Sequence, residues 1–268
     1  MSDVIAISCA LVTGASSGLG EEFAWQLAPR VRQLVLVARR AAVLTALAAR
    51  LGEHYPHLEI VVVAVDLTVA SERDDLLGQL ARQGCVPDLL VNNAGMGDYG
   101  EFATAAWPKL ETTLRLNIEA LTFLTHALVP AMIRGGGAII NVSSLACLLP
   151  LPDFAVYAAT KAYVTSFSEA LRIELREHGI PVLAVCPGPV HTGFGQVAKR
   201  GTQGRDMPGR ECFYVSKERV VCAALRALNN NRARVYPGIR IAAAALVVSV
   251  LPLVLLRFAL GFRPRQQL

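Results

Sequence analysis

Two side chains that can move a proton lie four residues apart in this chain, Tyr157 and Lys161. On an α-helix that spacing puts both on one face, where the ammonium group of Lys161 can lie beside the phenol of Tyr157. A neighbouring positive charge favours the phenolate, so the sequence predicts a pKa for Tyr157 below the ordinary value of about 10. A phenol tuned in this way can act as a general acid or base. An ordinary exposed pair on a helix has the same spacing, so other residues must decide between the two.

A glycine-rich turn follows the first apolar run and has the sequence TGASSGLG over residues 13–20. Glycines allow a sharp turn and let backbone N–H groups approach a pyrophosphate at the start of a helix. The spacing is GxxxGxG rather than GxGxxG, and a tight turn that binds no ligand is the alternative. The contacts expected for a dinucleotide in this turn are Gly14, Ser16, Ser17, Gly18, Leu19 and Gly20.

Arg39 and Arg40 follow the second apolar run, at the position where an NAD site carries an acidic residue for the ribose 2′-hydroxyl. Two guanidinium groups there can bind a 2′-phosphate through charge-assisted hydrogen bonds. The sequence therefore favours NADP(H) over NAD(H), with a solvated basic helix start as the alternative.

Short motifs also end the third and fourth apolar runs. Asp66 and Leu67 follow the third run, where a carboxylate can accept a hydrogen bond from an adenine amino group. The fourth run ends in NNAG, and the small residues Ala94 and Gly95 after Asn93 let the backbone pass close to a cofactor. Each motif alone is also typical of a turn. Both fall at the carboxyl ends of strands, where open α/β sheets bind ligands.

Together these motifs resemble the short-chain dehydrogenase/reductase family over about residues 5–240. The resemblance rests on TGASSGLG, NNAG, Asn117 in LRLNIEA, Ser144, YAATK, and CPGPVHT over residues 186–192. It implies that Tyr157 protonates a carbonyl oxygen, that Ser144 polarises it, and that Lys161 binds the nicotinamide ribose and tunes Tyr157. It also implies that Asn117 holds a water that relays protons to Lys161. Ser144 is assigned rather than Ser143 because the serine of the family usually lies thirteen residues before the tyrosine.

The resemblance further implies contacts around the nicotinamide end of the cofactor, made by Pro187, Gly188, Val190 and Thr192. His191 in the same turn is interpreted as a surface residue without a catalytic role. Apolar residues near these motifs predict a substrate pocket formed by Met96, Ser144, Leu145, Phe154, Tyr157 and Phe194. The segment 192–215 is rich in Gly, Arg and Gln, and it is interpreted as a lid over this pocket, with disordered surface as the alternative.

These residues must be positioned by alternating apolar and helix-like segments. Near-continuous apolar runs predict parallel strands that are covered on both faces. The predicted strands are 5–12, 34–38, 60–65, 89–92, 138–142 and 182–185, and residues 232–238 are predicted to form a final strand and turn. The predicted helices are 18–27, 41–51, 71–83, 105–134 (as two helices), 155–178 and one after Ser216. Repeated units of this length predict a single α/β domain with a Rossmann-like, doubly wound parallel sheet in three layers.

Composition excludes several classes of protein. The chain has 268 residues, of which 53% are hydrophobic and 18% are charged, which excludes a disordered chain and a small disulfide scaffold. Six single cysteines without ligand spacing predict reduced thiols and no metal site, and the N-terminus lacks the features of a secretory signal. The expected location is therefore cytoplasmic.

Charge is distributed unevenly along the chain. Residues 1–198 carry 13 Lys or Arg and 18 Asp or Glu, whereas residues 199–268 carry 13 and 3. A nucleic-acid binder would not confine its positive charge to the last quarter of the chain, so no nucleic acid partner is expected. The asymmetry indicates a local property of the C-terminus.

Residues 241–268 are predicted to form an apolar helical extension of a domain that comprises residues 1–240. The uncharged run 241–256 is shorter than the roughly 20 residues that span a bilayer, and it contains Pro252. Arginines on both sides fit contact of the segment 241–262 with an anionic membrane surface. Packing on the body or in an oligomer interface, and a true span, are the alternatives. The ending and residues 155–174 resemble, more weakly, membrane-associated 17β-hydroxysteroid and 3-ketoacyl reductases.

The sequence thus predicts an NADPH-dependent reductase that converts an apolar or lipid-like ketone, such as a β-ketoacyl thioester, to a secondary alcohol with Tyr157 as the general acid. A dehydrogenase that oxidises a secondary alcohol is the alternative among enzymes. A non-catalytic NADP-binding regulator or membrane scaffold is the alternative from another class, and the complete catalytic set disfavours it. The resemblance implies a homodimer or homotetramer built on the helix over 157–178 and its neighbour.

Overall fold

A parallel seven-stranded sheet forms the centre of the computed structural model, which describes residues 7–200, 211–252, 254 and 258. The strands are β1 (Cys9–Thr13), β2 (Gln33–Ala38), β3 (Glu59–Ala64), β4 (Leu89–Asn92), β5 (Ala138–Val142), β6 (Val182–Val185) and β7 (Arg234–Val235). Their order across the sheet is β3-β2-β1-β4-β5-β6-β7. The order reverses between β1 and β4, and this switch point is where open α/β sheets bind ligands.

Helices cover both faces of the sheet. They are α1 (Gly18–Leu27), α2 (Ala41–His54), α3 (Ala70–Arg82), α4 (Trp107–Leu114), α5 (Leu121–Gly135), α6 (Ala155–Glu174), α7 (Phe194–Ala198), α8 (Lys217–Asn229) and α9 (Ile239–Val250). Apolar side chains of α1, α2 and α8 pack on one face, and those of α3 and α5 pack on the other. The predicted three-layer α/β fold is confirmed.

The predicted bounds of β4, β5, β6 and α1 match the structure to the residue. The first strand begins at Cys9 rather than at residue 5, and residues 1–6 lie outside the described residues. The carboxylate of Asp88 accepts hydrogen bonds from the backbone N–H of Ser8 (2.7 Å) and of Cys9 (2.9 Å). A side chain therefore supplies the partner of the backbone at the start of this strand.

Several other boundaries differ from the prediction, and three of these differences have a visible cause. The two helices predicted over 105–134 are continuous, because a π-helical segment joins α4 to α5. Helix α6 ends at Glu174 rather than at 178, because the chain tightens into a 3₁₀ turn and reverses at Gly179, which has φ +69°. In the strand and turn predicted over 232–238, strand β7 is only two residues long, and the turn at Pro237 and Gly238 (φ +96°) leads the chain into α9.

The predicted lid contains the short helix α7, and its residues 201–210 lie outside the described residues. Helix α9 begins two residues before the predicted extension and ends before Pro252. Residues 253, 255–257 and 259–268 of that extension lie outside the described residues. By length and composition the continuous helix Trp107–Gly135 could cross a membrane, but its α5 part packs on the sheet as a core helix.

Candidate active site

The glycine-rich turn joins β1 to α1 beside the end of β4. Gly14 has φ +66°, and a Cβ atom on Gly20 would lie 2.2 Å from the carbonyl oxygen of Gly14. The side-chain amide of Asn93 donates to the carbonyl oxygen of Thr13 (2.9 Å), and Thr13 Oγ1 accepts from the backbone N–H groups of Asn93 and Ala94. The turn is thus held against β4, and side chains are excluded from the positions where the backbone approaches itself.

The start of α1 fits an anionic group. Ser17 precedes this helix without making a side-chain cap, so the N–H groups of the first turn remain available to a ligand. Arg40 lies over the same turn, where Nη2 donates to Ser16 Oγ (2.8 Å) and to Ser17 Oγ (3.1 Å). The side chain of Leu19 packs against the core beneath, so this residue offers its backbone. The turn and its guanidinium group therefore fit the phosphates of a dinucleotide.

The loop after β3 is already ordered by its own contacts. Asp66 Oδ1 accepts from the backbone N–H (2.9 Å) and the hydroxyl (2.8 Å) of Thr68, and Oδ2 lies 3.7 Å from Arg39 Nη1. The carbonyl oxygen of Leu67 accepts from Arg73 Nη1 (2.9 Å). These bonds hold Asp66 and Leu67 at the edge of the sheet next to the two arginines.

Tyr157 and Lys161 lie on consecutive turns of α6 and are both buried. Lys161 Nζ lies 5.7 Å from the centre of the Tyr157 ring and donates to the carbonyl oxygen of Val142 (2.8 Å). Ser144 follows β5, and its hydroxyl accepts from the backbone N–H of Ala146 (3.1 Å) and lies near enough to the Tyr157 phenol to lower its pKa. Ser143 instead bonds to the carbonyl oxygen of Lys161 (2.8 Å) inside the core. The structure therefore brings Ser144, and not Ser143, to Tyr157.

The pKa values of this pair correct one expectation from the sequence. Burial raises the pKa of Tyr157 to about 12, and the nearby Ser144 hydroxyl offsets only part of that rise. Burial also lowers the pKa of Lys161 to about 8. The predicted lowering of the Tyr157 pKa is wrong, because the ammonium group bonds to Val142 and the cost of burying a phenolate dominates. At neutral pH the phenol holds its proton and the ammonium group is charged.

Asn117 lies in the π-helical segment between α4 and α5 and is fully buried. Its Oδ1 accepts from the backbone N–H of Met96 (3.0 Å), and its Nδ2 donates to the Met96 carbonyl oxygen (2.9 Å) and to Thr160 Oγ1 (3.0 Å). A Cβ atom on Gly95 would lie 3.3 Å from Asn117 Oδ1 and 3.4 Å from Lys161 Nζ. The π segment, a distortion frequent at functional sites, thus brings Asn117 close to Lys161.

The loop after β6 runs from the Ser144 segment towards the glycine-rich turn. The carbonyl oxygen of Pro187 accepts from the backbone N–H of Leu145 (2.8 Å). A Cβ atom on Gly18 would lie 3.1 Å from Thr192 Cγ2, and Val190 packs against the core. Four residues expected around a nicotinamide or its substrate therefore lie along one short path: Leu145, Pro187, Val190 and Thr192.

Gly188 and His191 face other parts of the molecule. A Cβ atom on Gly188 would lie 2.3 Å from Ile241 Cδ1, so α9 rests directly on this loop. The mostly exposed ring of His191 stacks on Tyr214 with ring centres 4.3 Å apart. The C-terminal helix therefore contacts the loop that is expected to bind the nicotinamide.

Aromatic rings, two of them expected in the substrate pocket, pack over Tyr157. The ring of Phe154 stacks on Tyr157 with centres 4.2 Å apart, and Phe194 of α7 lies 5.3 Å from Tyr157. Tyr99 meets Phe154 edge to face at 5.7 Å. We call Tyr99, Phe154, Tyr157 and Phe194 the aromatic cluster.

Sequence reasoning missed polar groups that position the site. Thr160 lies between Tyr157 and Lys161 and accepts the bond from Asn117, and Thr13 anchors the NNAG segment. Both lie within the quoted motifs, so the motif positions themselves were the available signal. A buried charge cluster around Asp98 gave no such signal, because its partners come from distant parts of the chain.

The sequence profile of the short chain dehydrogenase family matches residues 8–202. The chain belongs to this family. It is 34% identical over 218 residues to the very-long-chain 3-oxoacyl-CoA reductase of Bos taurus, which covers 79% of this chain and 68% of that protein. It is also 34% identical over 198 residues to the serine 3-dehydrogenase of Agrobacterium fabrum, covering 72% and 76%.

A solved structure agrees over nearly the whole chain. The short-chain dehydrogenase from Sphingobium yanoikuyae in complex with NADPH has a TM-score of 0.79 and 31% identity, and the match covers 97% of this chain and 98% of that one. Like other members of the short-chain dehydrogenase family, the protein is therefore an oxidoreductase. Its candidate site combines a glycine-rich turn that fits phosphate groups, a protonated phenol and a buried ammonium group at one edge of the sheet.

Proposed function

We propose that this short-chain dehydrogenase is an NADPH-dependent carbonyl reductase that acts on an apolar, lipid-like ketone such as a β-ketoacyl thioester. The observation that carries the proposal is the Tyr157 phenol, which keeps its proton at neutral pH and is enclosed by aromatic rings. A protonated donor suits reduction, in which the carbonyl oxygen gains a proton. Apolar walls suit a substrate whose chain is hydrophobic.

The four polar residues divide the work of reduction. The cofactor, when bound, supplies a hydride to the carbonyl carbon. Tyr157 donates its proton to the carbonyl oxygen, and the Ser144 hydroxyl stabilises the charge that develops there. Lys161 keeps a positive charge next to Tyr157, and Asn117 fixes the adjacent backbone at Met96. Proton return to Tyr157 then passes through Lys161.

We assign the cofactor as NADP(H) in preference to NAD(H). Arg40 is held over the start of α1 by two serine hydroxyls, and Arg39 lies beside it near Asp66. Two guanidinium groups next to the expected adenosine ribose favour a 2′-phosphate over a hydroxyl. The NADPH complex of the similar Sphingobium enzyme supports this assignment.

Substrate class and direction follow from the same site and from the relatives. The similar Bos taurus protein is named for 3-oxoacyl-CoA reduction, and the aromatic rings packed around the proton donor suit an apolar substrate of that kind. Oxidation of a secondary alcohol is the alternative reaction, and the similarity to a serine 3-dehydrogenase supports it. It would need a deprotonated Tyr157, which burial disfavours.

The deciding experiment is NADPH consumption by the purified protein against ketones that range from small β-ketoesters to long-chain β-ketoacyl thioesters and steroids. We expect kcat/KM to rise with acyl length or ring bulk. Activity confined to small soluble ketones would contradict the lipid-like substrate, and NADP⁺ reduction by secondary alcohols without ketone reduction would establish the oxidative reading.

The variant Tyr157→Phe separates an enzyme from a non-catalytic NADP-binding protein. General acid catalysis contributes roughly 10²–10⁴-fold, so we expect a loss of that size in kcat with NADPH binding retained. Tyr163→Phe is the matched control, since Tyr163 lies on the same helix and its hydroxyl contacts the Thr122 hydroxyl (3.0 Å) rather than the candidate site. Turnover that survives in Tyr157→Phe would exclude Tyr157 as the proton donor.

We also propose that the protein is a cytoplasmic homodimer or homotetramer that contacts a membrane surface through residues 241–262. The outer face of α9 leaves Ile239, Leu246 and Val250 exposed, and the chain around it is rich in arginine. The outer face of α6 exposes Ile173, which supports an oligomer built on that helix.

A further inference from the structure

A buried charge cluster lies at the edge of the candidate active site. Asp98, in the loop after β4, has a side chain that is only 2% exposed, and both of its oxygens bind Arg200: Nε lies 2.9 Å from Oδ1 and Nη2 lies 2.5 Å from Oδ2. Lys109 Nζ of α4 lies 3.4 Å from Oδ1. We call Asp98, Lys109 and Arg200 the clasp. The catalytic residues do not include any of the three.

The clasp fixes the chain directly after α7. Lys109 Nζ donates to the carbonyl oxygens of Ala198 (3.1 Å) and Lys199 (2.6 Å), and the backbone N–H of Tyr99 donates to Ala198 (2.9 Å). Arg200 Nη1 donates to the carbonyl oxygen of Glu101 (2.8 Å). Residues 198–200 are therefore tied both to the loop after β4 and to α4.

Fixing the end of α7 also fixes Phe194, because the helix is only five residues long. Phe194 covers Tyr157, which is 7% exposed, and a Cβ atom on Gly97 would lie 2.8 Å from Phe154 and 3.2 Å from Phe194. The aromatic cluster is thus closely packed. A bulky ketone can reach the Tyr157 phenol only if the Phe194 side chain moves aside.

We propose that the clasp positions Phe194 over Tyr157 and thereby determines the size of ketone that the site accepts. This inference rests on the proposed ketone reduction. Asp98 is a positioning residue, since it acts on the substrate through Arg200 and α7. A bidentate ion pair suits this task because two parallel hydrogen bonds fix an angle as well as a distance.

The test compares kcat/KM for a bulky and a small ketone in Asp98→Asn, which keeps the shape of the side chain but removes its charge. We expect the ratio of bulky to small to rise by about fivefold or more, through a lower KM for the bulky ketone and a lower kcat for the small one. Phe194→Ala leaves the clasp intact and should shift the ratio in the same direction. Because both changes act through one ring, the double variant should add little to Phe194→Ala alone.

Two further measurements keep the outcome unambiguous. Glu111→Gln is the matched control, since it breaks an exposed ion pair with Arg115 next to the same helix and should leave the ratio unchanged. Tryptic cleavage after Lys199 and Arg200, identified by mass spectrometry, should be faster in Asp98→Asn than in Glu111→Gln. This measurement needs no ketone, so it does not depend on the proposed function. Arg200→Lys retains the charge without the bidentate geometry and should lie between the wild type and Asp98→Asn.

The results separate the two proposals. If wild-type protein reduces ketones and Asp98→Asn changes neither the ratio nor the cleavage rate, the clasp does not position Phe194. If wild-type protein reduces no ketone, the proposed function fails, and the cleavage rate alone decides whether the clasp holds residues 198–200. Loss of folding in Asp98→Asn leaves Arg200→Lys and Phe194→Ala to decide, and an unchanged ratio in both overturns the proposal.

Discussion

At pH 7 the Tyr157 phenol holds its proton, because burial raises its pKa to about 12, and the Lys161 ammonium group is charged, because its pKa is still about 8. In reduction the phenol gives up its proton to the substrate oxygen and must recover one before the next turnover. Lys161 is the neighbouring group that can supply it. Its lowered pKa makes that transfer easier than an exposed lysine would allow.

This assignment predicts a pH profile for ketone reduction. Lys161 is protonated below about pH 8 and neutral above it, so kcat in the reductive direction should fall as the pH rises through about 8. The measurement is kcat at saturating NADPH and ketone, in the wild type and in Tyr163→Phe as the control. A constant kcat well beyond pH 9 would show that Lys161 does not return the proton.

Arg39 and Arg40 carry the prediction for the cofactor. Hydrogen bonds to charged groups contribute about 1.5–3 kcal/mol each, so replacing both arginines by alanine should weaken NADPH binding by at least tenfold and change NADH binding little. Arg82→Ala removes one exposed positive charge from the far end of α3 and serves as the control. Equal losses for both cofactors would contradict the NADP(H) assignment.

The sequence located the candidate reacting groups, which the structure brings together, but not their electrostatics. Tyr157, Lys161 and the glycine-rich turn are separated by spacings that helices and turns impose, so local rules suffice to find them. Whether the pKa of Tyr157 is raised or lowered depends on its burial by Phe154 and Phe194, which only the tertiary fold supplies. The ion pair of Asp98 could not be predicted for the same reason, since its partner Arg200 lies 102 residues further along the chain.

Among the elements, the turn into α1 depends on glycine for reasons of space. A Cβ atom on Gly20 would lie 2.2 Å from the backbone of Gly14, so Gly20→Ala should destabilise the protein and weaken binding of NADPH. Gly52, near the end of α2, has open space around its Cβ position, so Gly52→Ala should stabilise the protein by about 0.5–1 kcal/mol. Chemical denaturation and NADPH titration measure both effects. Equal changes in the free energy of unfolding and in NADPH affinity in the two variants would contradict this explanation of the turn.

Element boundaries were predictable where polar residues, glycine or proline bound the apolar runs, as they do for β4, β5 and β6. The boundaries were not predictable where a contact from another part of the chain replaces the regular backbone hydrogen bonds of a strand or helix. Asp88 takes over the first backbone groups of β1, and the π segment around Asn117 lets α4 and α5 continue as one helix. Both depend on contacts between segments that are distant in sequence.

For the whole molecule, α9 connects the active site with the exterior. Its inner face buries Ile241 against Gly188, while Ile239 and Val250 on its outer face are 86% and 71% exposed. Residues 219–268 contain eight arginines and no acidic residue. An apolar helix within a wholly basic segment fits an anionic lipid surface better than an acidic or neutral protein face. Binding there would bring the reductase to hydrophobic ketones dissolved in the bilayer.

Two matched substitutions test this surface and the oligomer interface against each other. Wild-type protein should co-sediment with vesicles that contain phosphatidylglycerol, less so at high salt, and not with pure phosphatidylcholine. Leu246→Glu, on the outer face of α9, should abolish that binding and leave the oligomeric state unchanged. Ile173→Glu, on the outer face of α6, should retain vesicle binding and reduce the molar mass in light scattering to that of a monomer. Vesicle binding that survives Leu246→Glu would exclude α9 as the membrane contact, and an unchanged mass in Ile173→Glu would exclude the α6 interface, because each substitution places the same charge on only one of the two faces.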